Sequence, residues 1–205
     1  MKIGIFGGTF DPVHCGHVGL AVQAIERLNL DKVIFVPAKL QPFKVGQEIM
    51  YGEERIKMLK MAIDELAKDA PIEISDIELY REGLSYTIDT LNAFREIYPE
   101  AKIYFILGTD ALLKINKWKS AEELLTKFSL AVGMRPGYKN EALDECIDEI
   151  RKVYNTDITK LNNEQIDISS TVLRTVSSGK ELKDGVVPES VERYIEENGL
   201  YNRIH

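Results

Sequence analysis

Apolar positions along the chain fall into two alternating rhythms. Ile3, Ile5 and Phe6 form a short apolar run that stops at Gly7-Gly8, and the spacing then becomes three and four in Val18, Val22, Ile25 and Leu28. This predicts a strand, a glycine loop and an amphipathic helix in that order. Val33-Ile34-Phe35-Val36 is a continuous β-branched and aromatic run closed by Pro37, the pattern of a parallel strand covered on both faces. Residues 38 to 52 read as a loop. Ile56, Leu59, Ile63 and Leu66 predict a helix from Glu53 to about Lys68, before a strand near Ile72 to Ile74. Ile88, Leu91, Phe94 and Tyr98 repeat the helical spacing, and Ile103 to Leu107 is the strongest buried-strand signal, ending at Gly108. Leu130-Ala131-Val132 resembles a further strand that ends at Gly133. Leu143, Cys146, Ile147, Ile150 and Tyr154 return to helical spacing, and a short strand is predicted around Ile166 to Ile168. Pro188 opens a last helix that carries Val191, Tyr194 and Ile195.

Strands that alternate with helices imply right-handed crossovers and an α/β fold with a doubly wound, mainly parallel sheet. Such sheets bind ligands beyond the carboxyl ends of the strands, where strand order reverses. A chain of 205 residues suits one domain. No linker or internal repeat divides it, and the residues from about 140 onward read as a small helical C-terminal part of that domain.

Composition narrows the class. With 44% hydrophobic and 29% charged residues, disorder and collagen-like repeats are excluded. A formal net charge of −7 argues against a nucleic-acid coat or a membrane-surface protein, while leaving room for a local basic pocket. Cys15 and Cys146 form no CxxC pair, which disfavours a zinc site and a disulfide scaffold. The apolar start is too short for a signal-peptide core, and no later run approaches the roughly 18 residues that span a bilayer. A reduced cytoplasm is therefore the expected compartment, and self-association into a homo-oligomer is left open.

The sharpest chemical signal is the first glycine loop, Gly7-Gly8-Thr9-Phe10-Asp11-Pro12-Val13-His14-Cys15-Gly16-His17. It holds two of the three histidines, three residues apart. Glycines let backbone approach a ligand, and a histidine at a helix start adds its ring to free N–H donors and the positive end of the helix dipole. Such a place suits phosphate. A metal pair is disfavoured, since no further ligand stands at the right spacing. Ile168-Ser169-Ser170-Thr171-Val172-Leu173-Arg174 offers hydroxyls that can cap a helix, with a guanidinium one turn on that can reach back to the same phosphates. Taken alone, that segment is also an ordinary helix cap.

The first loop resembles the GGxFxPxHxGH signature of the HxGH nucleotidyltransferases, and the second segment resembles their ISSTxxR motif. Glu78 to Leu91 with its SYTIDTL core, Phe105-Ile106-Leu107-Gly108-Thr109-Asp110, Trp118-Lys119, Arg135-Pro136-Gly137 and the closing Val187-Pro188 to Leu200-Tyr201 narrow the likeness to the bacterial nicotinate mononucleotide adenylyltransferases. One segment departs. The family usually shows PPHK where this chain has Gln41-Pro42-Phe43-Lys44, so the usual histidine is replaced by Phe43.

The resemblance implies a Rossmann-like nucleotidyltransferase fold and transfer of an adenylyl group from ATP to nicotinate mononucleotide, in the route to NAD. It implies that His14, His17, Lys44 and Arg174 serve the phosphates in catalysis. ATP binding would fall to Gly7, Gly8, Thr9, Phe10, Gly108, Asp110, Ile168, Ser169, Ser170 and Thr171, and mononucleotide binding to Ser85, Tyr86, Thr87, Trp118 and Arg135. Mg²⁺ would travel with ATP and keep several waters; no metal site of the protein's own is expected. Plainer readings stay open for single residues: Trp118 as a half-buried anchor, Asp110 as a helix N-cap, Lys44 as a solvated loop lysine. The acidic set Glu141, Asp144, Glu145, Asp148 and Glu149 reads as a solvated helix face, and Cys15 as a small filler. Two other functions also stay open, an adenylyltransferase preferring nicotinamide mononucleotide and a nucleotide-binding sensor without turnover.

Overall fold

The computed structural model describes residues 1–42, 46, 48–134, 140–161 and 185–201. Six strands, β1 (Lys2–Gly8), β2 (Lys32–Pro37), β3 (Ile72–Ile74), β4 (Lys102–Gly108), β5 (Ser129–Gly133) and β6 (Ile158–Leu161), lie in the order β3-β2-β1-β4-β5-β6. All five pairings are parallel. From β1 the chain winds outward to β3, returns, and winds the other way from β4, so strand order reverses between β1 and β4. That is the doubly wound arrangement expected from the alternating rhythms, and its reversal point is where a ligand crevice belongs.

Each strand feeds a different layer with alternate residues. Ile3, Ile5, Ile103, Phe105, Leu130 and Val132 face one side, packing with α3 (Thr87–Ile97), α5 (Ala121–Lys127) and α6 (Asn140–Tyr154). Phe6, Val33, Phe35, Tyr104 and Ala131 face the other, against α1 (Cys15–Leu28), α2 (Gly52–Leu66) and α7 (Glu189–Glu197). Two short elements, α4 (Thr109–Leu112) and a 3₁₀ turn (Ile115–Lys117), follow β4.

Several elements differ from the sequence-based expectation, each for a physical reason. Helix α2 buries Arg55, Met58, Leu59 and Ala62, a face that overlaps the Ile56–Leu66 stripe at Leu59 and has Ile63 at its margin; Leu66 is 43% exposed. The aliphatic pattern misses the centre of that face because an arginine anchors it. Strand β6 was not expected. As an edge strand it buries only its end residues, Ile158 and Leu161, and carries Lys160 between them, so its apolar signal is weak. The strand expected at Ile166 to Ile168 lies outside the described residues. From 140 onward both expected helices are present, but β6 lies between them and extends the sheet. The acidic face of α6 is partly paired, Asp144 with Lys160 and Asp148 with Arg151.

Helix α7 is held on α2 by a carboxylate at its N-terminus. Glu65 accepts from the N–H of Glu189 (3.0 Å) and of Ser190 (2.8 Å), two donors that the helix itself cannot satisfy. Burial pushes the Glu65 pKa up, but the hydrogen bonds from Ser190 and Glu189 outweigh it and hold the carboxyl below its usual range. The cap therefore stabilises above the ordinary glutamate pKa and is lost as pH falls through the lower folded value. Glu65→Ala should lower unfolding stability near pH 7 by about 1 kcal/mol. The deficit should shrink on acidification, as urea denaturation at two pH values would measure.

Candidate active site

The glycine ends of β1 and β4 stand side by side where strand order reverses, and a cavity of about 350 Å³ opens there. Phe6 and Gly7 from β1, and Phe105, Leu107 and Gly108 from β4, form its floor; Ser85, Tyr86, Thr87, Trp118 and Lys119 stand around it.

At the β1 end the loop is set by packing. A Cβ on Gly8 would lie 2.7 Å from the Phe10 ring, whereas one on Gly7 would meet nothing closer than 3.8 Å. The missing Cβ of Gly8 therefore makes room for an aromatic ring, and Gly7 lines the cavity. Phe10 is 1% exposed and meets Phe6, Phe35 and His17 edge-on, with centroids 5.5, 5.2 and 5.0 Å away. Its φ of 50° is a left-handed conformation costing an aromatic residue about 1 to 3 kcal/mol. The Phe10 side chain is a wedge against His17.

His14 is the N-cap of α1 and His17 sits in its first turn. The main-chain N–H of His14 donates to Nδ1 of His17 (3.2 Å), so the neutral ring carries its proton on Nε2 and offers a donor there. The two imidazoles stack with centroids 3.6 Å apart. Cys15 gives its N–H to the Val186 carbonyl at 2.9 Å. Its thiol pKa is raised by burial and by Glu65, consistent with an inert filler.

Beneath the loop lies a buried polar ring that the sequence did not reveal. Asp11, 1% exposed, accepts from the Tyr201 hydroxyl on Oδ1 (2.5 Å) and from the Met50 N–H on Oδ2 (3.2 Å). Arg55, 2% exposed, donates to the Met50 carbonyl (2.9 Å) and to the Thr9 carbonyl (2.7 Å). Burial lowers the Arg55 pKa, opposed by Asp11, Tyr201 and Glu78. Thr9 also donates its hydroxyl to Gln41 (3.2 Å). The available signal was Arg55 at i, i+3 and i+7 spacing with Met58 and Ala62, an arginine in line with a buried stripe.

On the far side of the cavity α3 begins at Thr87 with Tyr86 as N-cap, so the N–H groups of Tyr86 and Thr87 lie outside the intrahelical ladder. The preceding segment is braced by Glu78, buried, which accepts from Thr90 (2.6 Å), while Arg81 donates to the same threonine (2.8 Å). Ser85 bonds the 39–40 backbone, its N–H to the Leu40 carbonyl (2.9 Å) and its hydroxyl accepting from the Lys39 N–H (3.3 Å). Trp118 is half-buried and meets Phe105 edge-on at 5.9 Å, so it is both an anchor and a cavity wall. Lys119 pairs with Asp89 (3.0 Å) and lies 4.3 Å from the Tyr86 ring centroid.

The model of the cytidylyltransferase-like family matches residues 5–176. A protein of Thermoanaerobacter sp. (strain X514), named probable nicotinate-nucleotide adenylyltransferase, is 42% identical over 99% of this chain and 95% of its own length. The chain belongs to the nicotinate-nucleotide adenylyltransferases of that family. A relative of the same name from Clostridium tetani (strain Massachusetts / E88) is 38% identical over 98% of both chains. The fold is shared with a solved nicotinic acid mononucleotide adenylyltransferase of Plasmodium falciparum complexed with NaAD. The TM-score is 0.81 at 22% identity, covering 98% of this chain and 97% of that one.

In this adenylyltransferase chain, Gly7, Tyr86, Thr87, Trp118 and Gly108 meet around one cavity, and His14, His17, Thr9 and Phe10 lie together beside its β1 end. Ser85 is on the cavity wall. Gly108, rather than Asp110, is the N-cap of α4, and Asp110 occupies its first turn; the N-cap reading of Asp110 is corrected accordingly. Lys44, Arg135, Ile168, Ser169, Ser170, Thr171 and Arg174 lie outside the described residues. Gly8→Ala should lower stability by about 1 to 3 kcal/mol, because the Phe10 ring is enclosed on three sides and cannot yield; chemical denaturation gives the value.

Proposed function

We propose that this chain joins ATP and nicotinate mononucleotide to give nicotinate adenine dinucleotide and pyrophosphate. The observation that carries this reading is the cavity at the reversal of strand order, which sets the N-terminus of α3 and Trp118 opposite Gly7 of the histidine loop. One side suits a flat anionic ring and the other a polyphosphate, the two halves of one dinucleotide. The names of the bacterial relatives agree with it.

The mononucleotide's 5′-phosphate is already an anion. In this reading it attacks the α-phosphorus of ATP in line, a P–O bond forms as the bond to pyrophosphate breaks, and no proton need be removed. The protein supplies position and charge. His17, donating from Nε2, and His14 meet phosphate oxygens as charge grows on the departing pyrophosphate. Lys44 and Arg174 take the outer phosphates, Ser169, Ser170 and Thr171 add donors with the Ile168 backbone, and Asp110 accepts from the ribose hydroxyls. Gly7, Gly8, Thr9, Phe10 and Gly108 shape the ATP side, Gly8 and Phe10 also holding the loop in place. Trp118 stacks on the pyridine ring, and Tyr86 and Thr87, with Ser85 and Arg135, receive its carboxylate.

Among the described residues no group of three or more His, Cys, Asp or Glu is placed to hold a metal ion, and Mg²⁺ is assigned to ATP as part of that substrate. Residues 1–205 act as one nucleotidyltransferase domain. Among the described residues no helix is long and apolar enough to cross a membrane, and ATP use places the reaction in the cytoplasm.

His17→Ala should cut kcat by about a hundred- to thousandfold with a smaller change in ATP binding, because a donor aimed at developing charge acts mainly in the transition state. Pyrophosphate release and ATP titration separate the two effects. The choice between acid and amide tests the ring side. N–H donors at the positive end of α3 suit a carboxylate, whereas an amide turned toward them leaves polar groups unpaired at about 1 to 3 kcal/mol. Competition between the two mononucleotides should favour the acid by about tenfold to a thousandfold in kcat/KM. A ratio near one or inverted would support the nicotinamide alternative, and no pyrophosphate from either would favour a sensor.

A further inference from the structure

Tyr201 and Phe10 are large aromatic residues held at positive φ, 67° and 50°, one on either side of a single buried hydrogen bond. That bond runs from the Tyr201 hydroxyl to Asp11 (2.5 Å), the residue after Phe10. Strain in bulky residues persists only where the surroundings over-determine it, and here both strained residues are fixed by the same carboxylate and by one apolar cluster containing Phe6, Phe10, Val13, Val187, Val191 and Tyr201. The C-terminal segment also reaches the start of α1, where Val186 accepts the Cys15 N–H. It thus touches the histidine loop on both sides of His14. Phe10 in turn lies against the His17 ring.

We propose that Tyr201 is a positioning residue that fixes Asp11, and through the loop sets His14 and His17 for phosphate. It touches no substrate. Removing its hydroxyl leaves Asp11 with Met50 and the nearby charge of Arg55, so the loop stays folded but loses the contact that opposes its strain. Tyr194, on α7 of the same segment, supplies a control: its hydroxyl also donates to a carboxylate, Glu54 (2.5 Å), which belongs to α2 and not to the loop. A segment that merely stabilised the fold would lower unfolding stability on loss of either hydroxyl without moving kcat or the imidazole signals.

The test compares Tyr201→Phe with Tyr194→Phe in the full chain. The kinetic arm rests on the proposed adenylyl transfer. Tyr201→Phe should lower kcat about tenfold or more with the mononucleotide KM within about twofold of wild type, while Tyr194→Phe should keep kcat. A second arm needs no turnover. The chain has three histidines, so imidazole signals are few, and in substrate-free protein those of His14 and His17 should shift in Tyr201→Phe and stay in Tyr194→Phe. Wild-type kcat and unmoved imidazole signals in Tyr201→Phe would overturn the proposal, as would equal losses in both variants. If wild type shows no adenylyl transfer, the proposed function fails and the imidazole signals still decide this inference. Should Tyr201→Phe not fold, Asp11→Asn removes the charged acceptor from the loop side, with the same imidazole shifts expected and their absence contradicting.

Discussion

One buried cation holds the histidine loop to the rest of the molecule. Arg55 gives its donors to two carbonyls, Thr9 in the loop and Met50 before α2, while Asp11 in the loop answers with Met50 and Tyr201. Three stretches far apart in sequence meet in one polar ring. Removing one partner from such a set strands a buried charge at about 3 to 5 kcal/mol, so the ring is strongly specified even though apolar side chains of the same volume could stabilise as well. What the charges add is geometry. They hold Phe10 and Tyr201 in backbone conformations that apolar packing alone would not enforce.

That geometry decides what the loop can do. Phe10 rises under His17, the His14 N–H fixes the His17 tautomer, and the imidazoles stack. Both rings are thereby fixed at the start of α1, and under the proposed function such preorganised donors are the ones that count for developing charge. Across the cavity a second buried carboxylate, Glu78, braces the start of α3 through Thr90 and Arg81. Arg55 feels the charge of both Asp11 and Glu78, one electrostatic neighbour for the two sides of the cavity.

Sequence made the sheet and the residues around the cavity legible to different degrees. Continuous runs such as Val33 to Val36 and Ile103 to Leu107 announce buried parallel strands because no other environment accepts them. The histidine loop was legible because glycines, histidines and a strand end coincide within eleven residues. Arg55 was hidden, since a lone arginine on a helix usually lies in solvent and its acceptors are main-chain carbonyls that no sequence pattern displays. The packing role of Gly8 was hidden for a related reason: its neighbour in space is Phe10, two residues on, and only the turn between them brings the ring back. β6 escaped because an edge strand half in solvent carries little apolar signal.

As proposed above, the protein is a template that aligns two substrates and takes no covalent part in the transfer. The stereochemistry at phosphorus tests that claim most directly. With ATP made chiral at the α-phosphorus, one in-line displacement by the mononucleotide phosphate predicts a dinucleotide of inverted configuration, with pyrophosphate released one for one. Retention would mean two displacements through an adenylylated side chain, and would contradict the account.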